Sequence, residues 1–206
     1  MLFAAVCDGI GGLWGGEKAS GFVAERMTEW FYKEAVILLK KGRGRQRIEQ
    51  SGIRALYGCN QELCRFGERK GRKLGTAVTA VLLDGRQYFL WHSGDTRAYR
   101  IGRRMGRFKR LTRDHVAGKH ALVRCIGSFP WQQPDVQRGH LGQMEALLLC
   151  SDGFRNRMAE EKLAEALSSR ALICREQIFL RLKEIGSHAR RHGETDDISA
   201  VLIKRI

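Results

Sequence analysis

With 206 residues, 43% of them hydrophobic, the chain is long enough to bury a substantial core, and two prolines without any Ser- or Gln-rich tract exclude a disordered chain. Its longest apolar runs, such as AVILL and ALLLC, are too short to cross a bilayer, and no secretory signal opens it, so no membrane span and a cytoplasmic location are expected. The formal charge of +15 attracts anions, yet the basic clusters KKGRGRQR, ERKGRK, IGRRMGRFKR and HARRH are dispersed and lack the interleaved aromatics of a nucleic-acid-reading module, so no specific nucleic-acid partner is expected.

The opening stretch LFAAVCDGIGG runs an apolar strand into Asp8 and then into a turn with almost no side chains, which presents a carboxylate at a strand end. Residues 17–41 read as a long helix, because Ala19, Phe22, Val23, Met27, Trp30 and Phe31 recur at helical spacing. A second helix is expected over about 46–68, on the stripe Ile48, Leu56, Cys59, Leu63 and Phe66. The period then changes to two. GTAVTAVLLDG is apolar on both faces and predicts a central strand, Asp84–Gly85 signals a hairpin turn, and RQYFLWHSGDTRAYRIG supplies a partner strand and a further one.

Residues 116–140, which hold both prolines, read as irregular. EALLLCSDGF repeats the opening design, two helices are expected over about 158–168 and 171–191, and DDISAVLIKRI closes the chain as a strand. Helices that come in pairs between blocks of strands argue against a doubly wound parallel sheet. They predict an α+β fold of antiparallel sheets with helix pairs outside them, in a single domain over residues 1–206. Six cysteines, at 7, 59, 64, 125, 150 and 174, include no CxxC pair, so reduced core thiols are expected rather than a zinc site.

Asp8 and Asp152 end apolar strands, Asp196 starts the last one, and Asp95 lies at a break between two others. One aspartate beside glycine is most simply a helix cap; four at strand ends make a candidate acidic cluster. Like charges gathered in a fold repel and are costly to desolvate, so cations must neutralise them, and an all-oxygen ligand set suits Mg²⁺ or Mn²⁺. Two such ions, about 3.5–4 Å apart, can acidify a bridging water and clamp a phosphoryl group. The chemistry implied is hydrolysis of a phosphate ester without a covalent intermediate; the sequence has neither a G-x-S-x-G elbow nor a P-loop.

The strings FAAVCDGIGGLWGGEKAS, GTAVTAVLL, HSGDTRAYRI, LTRDHV, LLLCSDGF and DDISAVLI, in this order, resemble the metal-dependent Ser/Thr protein phosphatases of type 2C in their bacterial form. The resemblance covers residues 2–206. It implies two packed, mainly antiparallel sheets flanked by helix pairs, an α-β-β-α sandwich. It also implies two Mn²⁺ or Mg²⁺ ions held by Asp8, the Gly9 carbonyl, Asp152 and Asp196, with Asp95 lining the site as a ligand for an accessory ion. Residues 116–140 take the place of the family's flap, and Arg97 and the pair Asp114–His115 match positions of structural support. The implied partners are phosphorylated proteins and a Ser/Thr kinase, and a monomer is expected.

The sequence also departs from that pattern. Only seven residues precede Asp8, so the family's first strand pair, with its phosphate-gripping arginine and acidic pair, has no counterpart. Either the start is missing, which leaves a sheet edge exposed, or the chain is an impaired member that serves as a phosphatase-fold binding module. Asp197 stands where asparagine usually follows the last metal aspartate, Asn156 stands where many members use an aspartate for the accessory ion, and Ile10 occupies a position that is histidine in eukaryotic members.

Overall fold

The computed structural model describes residues 1–42, 44–102, 107–118, 121–127, 129–168 and 174–205. In chain order the elements are β1 (Leu2–Gly9), α1 (Gly16–Trp30), a π-helical turn (Phe31–Ala35), α2 (Val36–Lys40), α3 (Arg45–Lys70), β2 (Gly75–Asp84), β3 (Gln87–Ser93), β4 (Arg97–Ile101) and β5 (Phe108–Arg110). There follow β6 (Val116–Ala117), β7 (Ala121–Leu122), β8 (Ile126–Gly127), β9 (Asp135–His140), β10 (Ala146–Cys150), α4 (Asp152–Arg155), α5 (Glu160–Ala166), α6 (Arg175–Arg191) and β11 (Ala200–Lys204). They form two compact units: Met1–Asp95 with Asp114–Gly139, and Thr96–Arg113 with His140–Ile206.

The first unit is built on a sheet of order β1-β2-β3-β9, with β8 pairing the start of β2. β2 is central because its aliphatic residues are buried from Gly75 to Leu82 on both faces. It runs antiparallel to β1, in a register from Leu2 opposite Leu83 to Gly9 opposite Thr76, and joins β3 through the two-residue loop Gly85–Arg86. Helix α1 lays Ala19, Val23, Met27 and Trp30 into the same core as Ile48, Leu56, Cys59 and Leu63 of α3. Burying each larger side chain of this kind is worth about 1.5–3 kcal/mol. The buried indoles are also satisfied: Trp30 Nε1 donates to Ser51 Oγ at 2.6 Å, and Trp91 Nε1 to the Glu49 carbonyl at 3.1 Å. At Gly52 a Cβ would stand 2.4 Å from the Trp91 ring, so alanine there would force the two apart.

The helix expected over 17–41 is present with one wider turn in it. The extra residue of that turn keeps Trp30, Phe31 and Ala35 all on the buried side, with Phe31 stacked on Phe3 at 5.5 Å. The stretch 116–140, expected to be irregular, contains β6 to β9, and β9 extends the main sheet; residues 119, 120 and 128 lie outside the described residues. β9 escapes a sequence reading because DVQRGH lies at the sheet's edge, half of it exposed, with no apolar alternation.

The second unit is built on a sheet of order β11-β10-β4-β5, antiparallel throughout. β10 is buried over its whole length between β4 and β11. Tyr99, Leu148, Phe154, Leu163 and Ile185 join this sheet to α4, α5 and α6 in one core. Arg97 and the Tyr99 hydroxyl both reach Glu160, at 2.9 and 2.8 Å, which ties β4 to α5. The last helix is described over Arg175–Arg191, and residues 171–173 of its expected span lie outside the described residues. The closing strand is shorter than DDISAVLIKRI, running from Ala200 to Lys204, and residue 206 also lies outside the described residues. The α+β class and the antiparallel sheets with their helices agree with the sequence expectation.

Candidate active site

In the first unit, Asp8 is half-buried on β1 opposite Ala77, and its carbonyl accepts the Thr76 hydroxyl at 2.7 Å. The glycine that follows it is required by close approach. A Cβ on Gly9 would lie 2.4 Å from the Gly16 carbonyl carbon, so the strand end and the first residue of α1 meet with no room between them. Ala77 also bounds the second aspartate. Gly94, at φ +111°, sits so close that its Cβ would lie 2.3 Å from that of Ala77, and Asp95 follows it. Register therefore brings Asp8, on β1, and the bend after β3 that carries Asp95 to the same end of the sheet, on either side of β2.

Gly94 is held by His115 through both its backbone groups. The His115 N–H donates to the Gly94 carbonyl at 2.8 Å, and the Gly94 N–H donates to Nδ1 at 3.1 Å. Nδ1 accepts only when the ring proton is on Nε2, which places an Nε2–H donor 3.1 Å from Asp135 Oδ2. Asp135 Oδ1 in turn accepts from Arg124 at 2.6 Å, and the His115 ring stacks on His92 at 4.8 Å. Burial is the main reason that the His115 ring is held below the usual histidine range, against the opposing pull of Asp135, and this shift favours the neutral ring. Asp135 is depressed although burial works against it, because His115 and Arg124 both donate to it.

In the second unit Asp152 does more than end a strand: it is the first residue of the helical turn α4. Ser151 fastens the end of β10 to the segment before β11. Its Oγ donates to the Asp197 carbonyl at 3.0 Å and accepts the Ser199 N–H at 3.0 Å. Gly153 leaves no gap either; a Cβ there would lie 2.5 Å from the Asp197 carbonyl oxygen and 3.4 Å from the Asp196 Cβ. Asp152 and Asp196 thus stand on touching segments of backbone.

Asp196 was expected to start the last strand. It lies four residues ahead of β11, exposed, in a bend shaped by Glu194. The Glu194 carboxylate is buried and accepts the N–H groups of Thr195 at 2.9 Å and Asp196 at 3.0 Å, with Arg157 at 3.4 Å. Those backbone donors hold it below the usual carboxylate range, against the cost of burial. Sequence reasoning missed Glu194, Ser151 and Asp135. Ser151 stood inside the LLLCSDGF string without being singled out, Glu194 had only the acidic run around GETDD as a signal, and Asp135 falls on no period or motif.

Asp152 bears most directly on a metal. Its Oδ2 accepts from Asn156 at a long 3.3 Å, while its Oδ1 is buried and has no partner among the described residues. A carboxylate oxygen in that state is costly unless a cation meets it, and hard oxygen donors fit Mn²⁺ or Mg²⁺. The structure gathers the candidates in pairs, Asp8 with Asp95 in one unit and Asp152 with Asp196 in the other. Among the described residues no group of three or more His, Cys, Asp or Glu side chains is placed to hold a metal ion.

Comparison with known proteins bears on the same motifs. A serine/threonine phosphatase of Listeria monocytogenes, stp, is 26% identical over 222 residues, which span 97% of this chain and 83% of that one. A putative protein phosphatase of Mycoplasma genitalium is 26% identical over 226 residues, 98% and 84% of the two chains. The catalytic domain of the phosphatase PstP, solved in complex with two manganese ions, superposes with a TM-score of 0.78 at 23% identity, over 97% of this chain and 86% of that one. PppA of Pseudomonas aeruginosa gives a TM-score of 0.82 at 18% identity, over 99% and 86%. At such identities these structures establish a shared fold. The model of one family, protein phosphatase 2C, matches residues 1–185, a span holding Asp8, Asp95 and Asp152 with the close-packed glycine beside each, and the chain belongs to that family.

Proposed function

We propose that the chain is a metal-dependent phosphoprotein phosphatase, which hydrolyses phosphoserine and phosphothreonine with a water activated by two Mn²⁺ or Mg²⁺ ions. The observation that carries the reading is the buried Oδ1 of Asp152, without a partner among the described residues and beside the Asp196 backbone, in a chain of the protein phosphatase 2C family. Asp8, the Gly9 carbonyl, Asp152 and Asp196 would hold the ions, and Asp95 would hold an accessory one. The manganese pair of PstP supports the choice of metal. When bound, the ions supply a hydroxide at neutral pH and neutralise charge on the phosphoryl oxygens.

The chain's own contribution is to hold these oxygens still. Gly9, Gly94 and Gly153 lock the backbone beside three of the aspartates, and Glu194 fixes the fourth. No side chain is needed as the nucleophile. Cys7, adjacent to Asp8, is pushed up to about 12 by burial, with Cys59 and Asp8 adding to the effect, so at neutral pH it is a protonated thiol. Water then displaces the serine or threonine oxygen directly and leaves inorganic phosphate. The same reading has residues 1–206 working as one phosphatase domain, monomeric and cytoplasmic, on proteins that a Ser/Thr kinase has phosphorylated.

The test is phosphate release from a phosphothreonine peptide and from p-nitrophenyl phosphate. Turnover that requires Mn²⁺ and is lost in Asp8→Ala and Asp152→Ala is the expected result. Turnover that persists in EDTA, or no turnover while calorimetry shows two Mn²⁺ bound, would overturn it.

A further inference from the structure

Within the first unit, away from Asp8 and Asp95, α3 and the segment 129–131 border an open, shallow cavity of about 740 Å³. That volume suits a few residues of extended chain rather than a folded surface. Its apolar wall is aromatic: Tyr57 and Trp131 meet edge to face at 5.2 Å, with Phe129 beside them. The wall is fixed in place by buried Asn60, whose Oδ1 accepts the Gly127 N–H at 2.9 Å and whose Nδ2 donates to the Phe129 carbonyl at 3.4 Å. Cys64 adds a thiol donor to the Gly127 carbonyl at 3.1 Å.

The rim is cationic. Arg65, Arg72 and Lys73 are exposed and line the cavity, against the single carboxylate of Glu68. Among the described residues none of the three is ion-paired, although Arg26, Arg54, Arg97 and Arg100 all are. Arg72 and Lys73 come after the helix has ended at Lys70, so balancing the helix dipole does not explain them. The rings are partly occupied, since Tyr57 and Trp131 pack against each other in a T and Lys73 lies over Phe129 at 5.5 Å. They do not form an open ladder on which bases stack, which disfavours a single-stranded nucleic acid.

We propose that this cavity docks an acidic stretch of the phosphoprotein substrate, with Asp or Glu side chains on Arg65, Arg72 and Lys73 and aliphatic groups on the aromatic wall. The inference rests on the phosphatase reading for the origin of the peptide, but the binding itself does not require turnover. Arginine suits the role because its fork matches a carboxylate in two places.

The experiment is fluorescence polarisation at physiological salt, with two labelled phosphothreonine peptides that differ only in whether Asp and Glu or Asn and Ser flank the phosphothreonine. The native chain should bind the acidic peptide about tenfold more tightly than the neutral one, the size expected of a few exposed charge pairs. Arg72→Glu/Lys73→Glu should abolish that preference. Lys40→Glu/Lys41→Glu, which makes the same charge change at two other exposed lysines, should keep it. Equal binding of the two peptides by the native chain, equal loss in both variants, or tighter binding of a single-stranded oligonucleotide than of the acidic peptide would overturn the proposal. A chain that shows the preference but, with two Mn²⁺ bound, hydrolyses neither peptide would refute the phosphatase reading and leave the docking site standing.

Discussion

The carboxylate of Glu194 accepts the backbone N–H of Asp196 at 3.0 Å, and that one bond sets the position of an aspartate whose own side chain is exposed. Asp196 Oδ1 in turn accepts the Asp197 N–H at 2.8 Å, so the loop is ordered from its buried end outward. Hydrogen bonds to a charged acceptor are worth about 1.5–3 kcal/mol each, and Glu194→Ala should therefore cost about 2–4 kcal/mol in urea unfolding. Mn²⁺ affinity by calorimetry should fall in the milder Glu194→Gln variant as well. The pH dependence has a definite sign. A carboxylate depressed in the folded state stabilises the protein above its ordinary value of 4.5, and the benefit is lost as pH falls through the lower folded value. Acid unfolding of Glu194→Gln should lack that component.

Asp152→Asn tests the orphaned oxygen. Replacing a carboxylate whose Oδ1 is buried without a partner among the described residues should leave the metal-free protein as stable as the native chain or more so, by up to about 2 kcal/mol. The rise in Tm that Mn²⁺ gives the native chain should disappear in the same variant. Thermal melts with and without Mn²⁺ read both effects, and a drop in metal-free Tm would show that Asp152 is held by contacts within the protein.

Gly153→Ala should be costly in spite of its size. The new methyl would stand 2.5 Å from the Asp197 carbonyl oxygen, which is backbone and cannot swing aside. A loss of about 1–3 kcal/mol, with displacement of the Asp196 loop and reduced turnover, is the expected outcome, measured by urea titration and phosphate release. Gly21→Ala, where nothing stands within 4 Å, is the matched control and should be neutral or slightly stabilising.

His115 supplies a second pH effect in the same direction for a different reason. Burial depresses its basicity, so the neutral ring that accepts from Gly94 is favoured, and its contribution is complete above about pH 6.5. As pH falls through the lower folded value, protonation removes the acceptor and the turn carrying Asp95 loosens. Thermal melts of the native chain should lose stability over this interval, and those of His115→Gln should be flatter.

Much of the fold was legible because hydrophobic period and burial agree along β2, α1 and α3. There the eight buried residues of β2 and the i, i+4 rows of the helices carry their own signal. β9 was illegible because an edge strand with half of its residues exposed needs no apolar alternation. At the candidate site, glycine next to aspartate was a true signal, although the reason differs from the one the sequence suggests. Gly9 and Gly153 keep neighbouring backbone within contact, whereas an open turn would need only flexibility. Ser151 was invisible because its work is done on backbone groups far along the chain, and no spacing announces a partner 48 residues away. Glu194 was invisible for another reason: it turns back on the N–H groups of the next two residues, and a lone glutamate in an acidic run does not announce that fold.

The burial of the thiols has a practical consequence for anyone wishing to watch this molecule work. Cys7 and Cys59 are pushed up to about 12 and Cys125 to about 11, and Cys64 is raised as well, so at neutral pH they offer almost no thiolate to an electrophile. Cys150 is sealed in the second core, whereas Cys174, at the head of α6, stands open to solvent. A maleimide dye should therefore find one address on the unaltered protein, a ready-made beacon for following ligand binding without engineering a single residue.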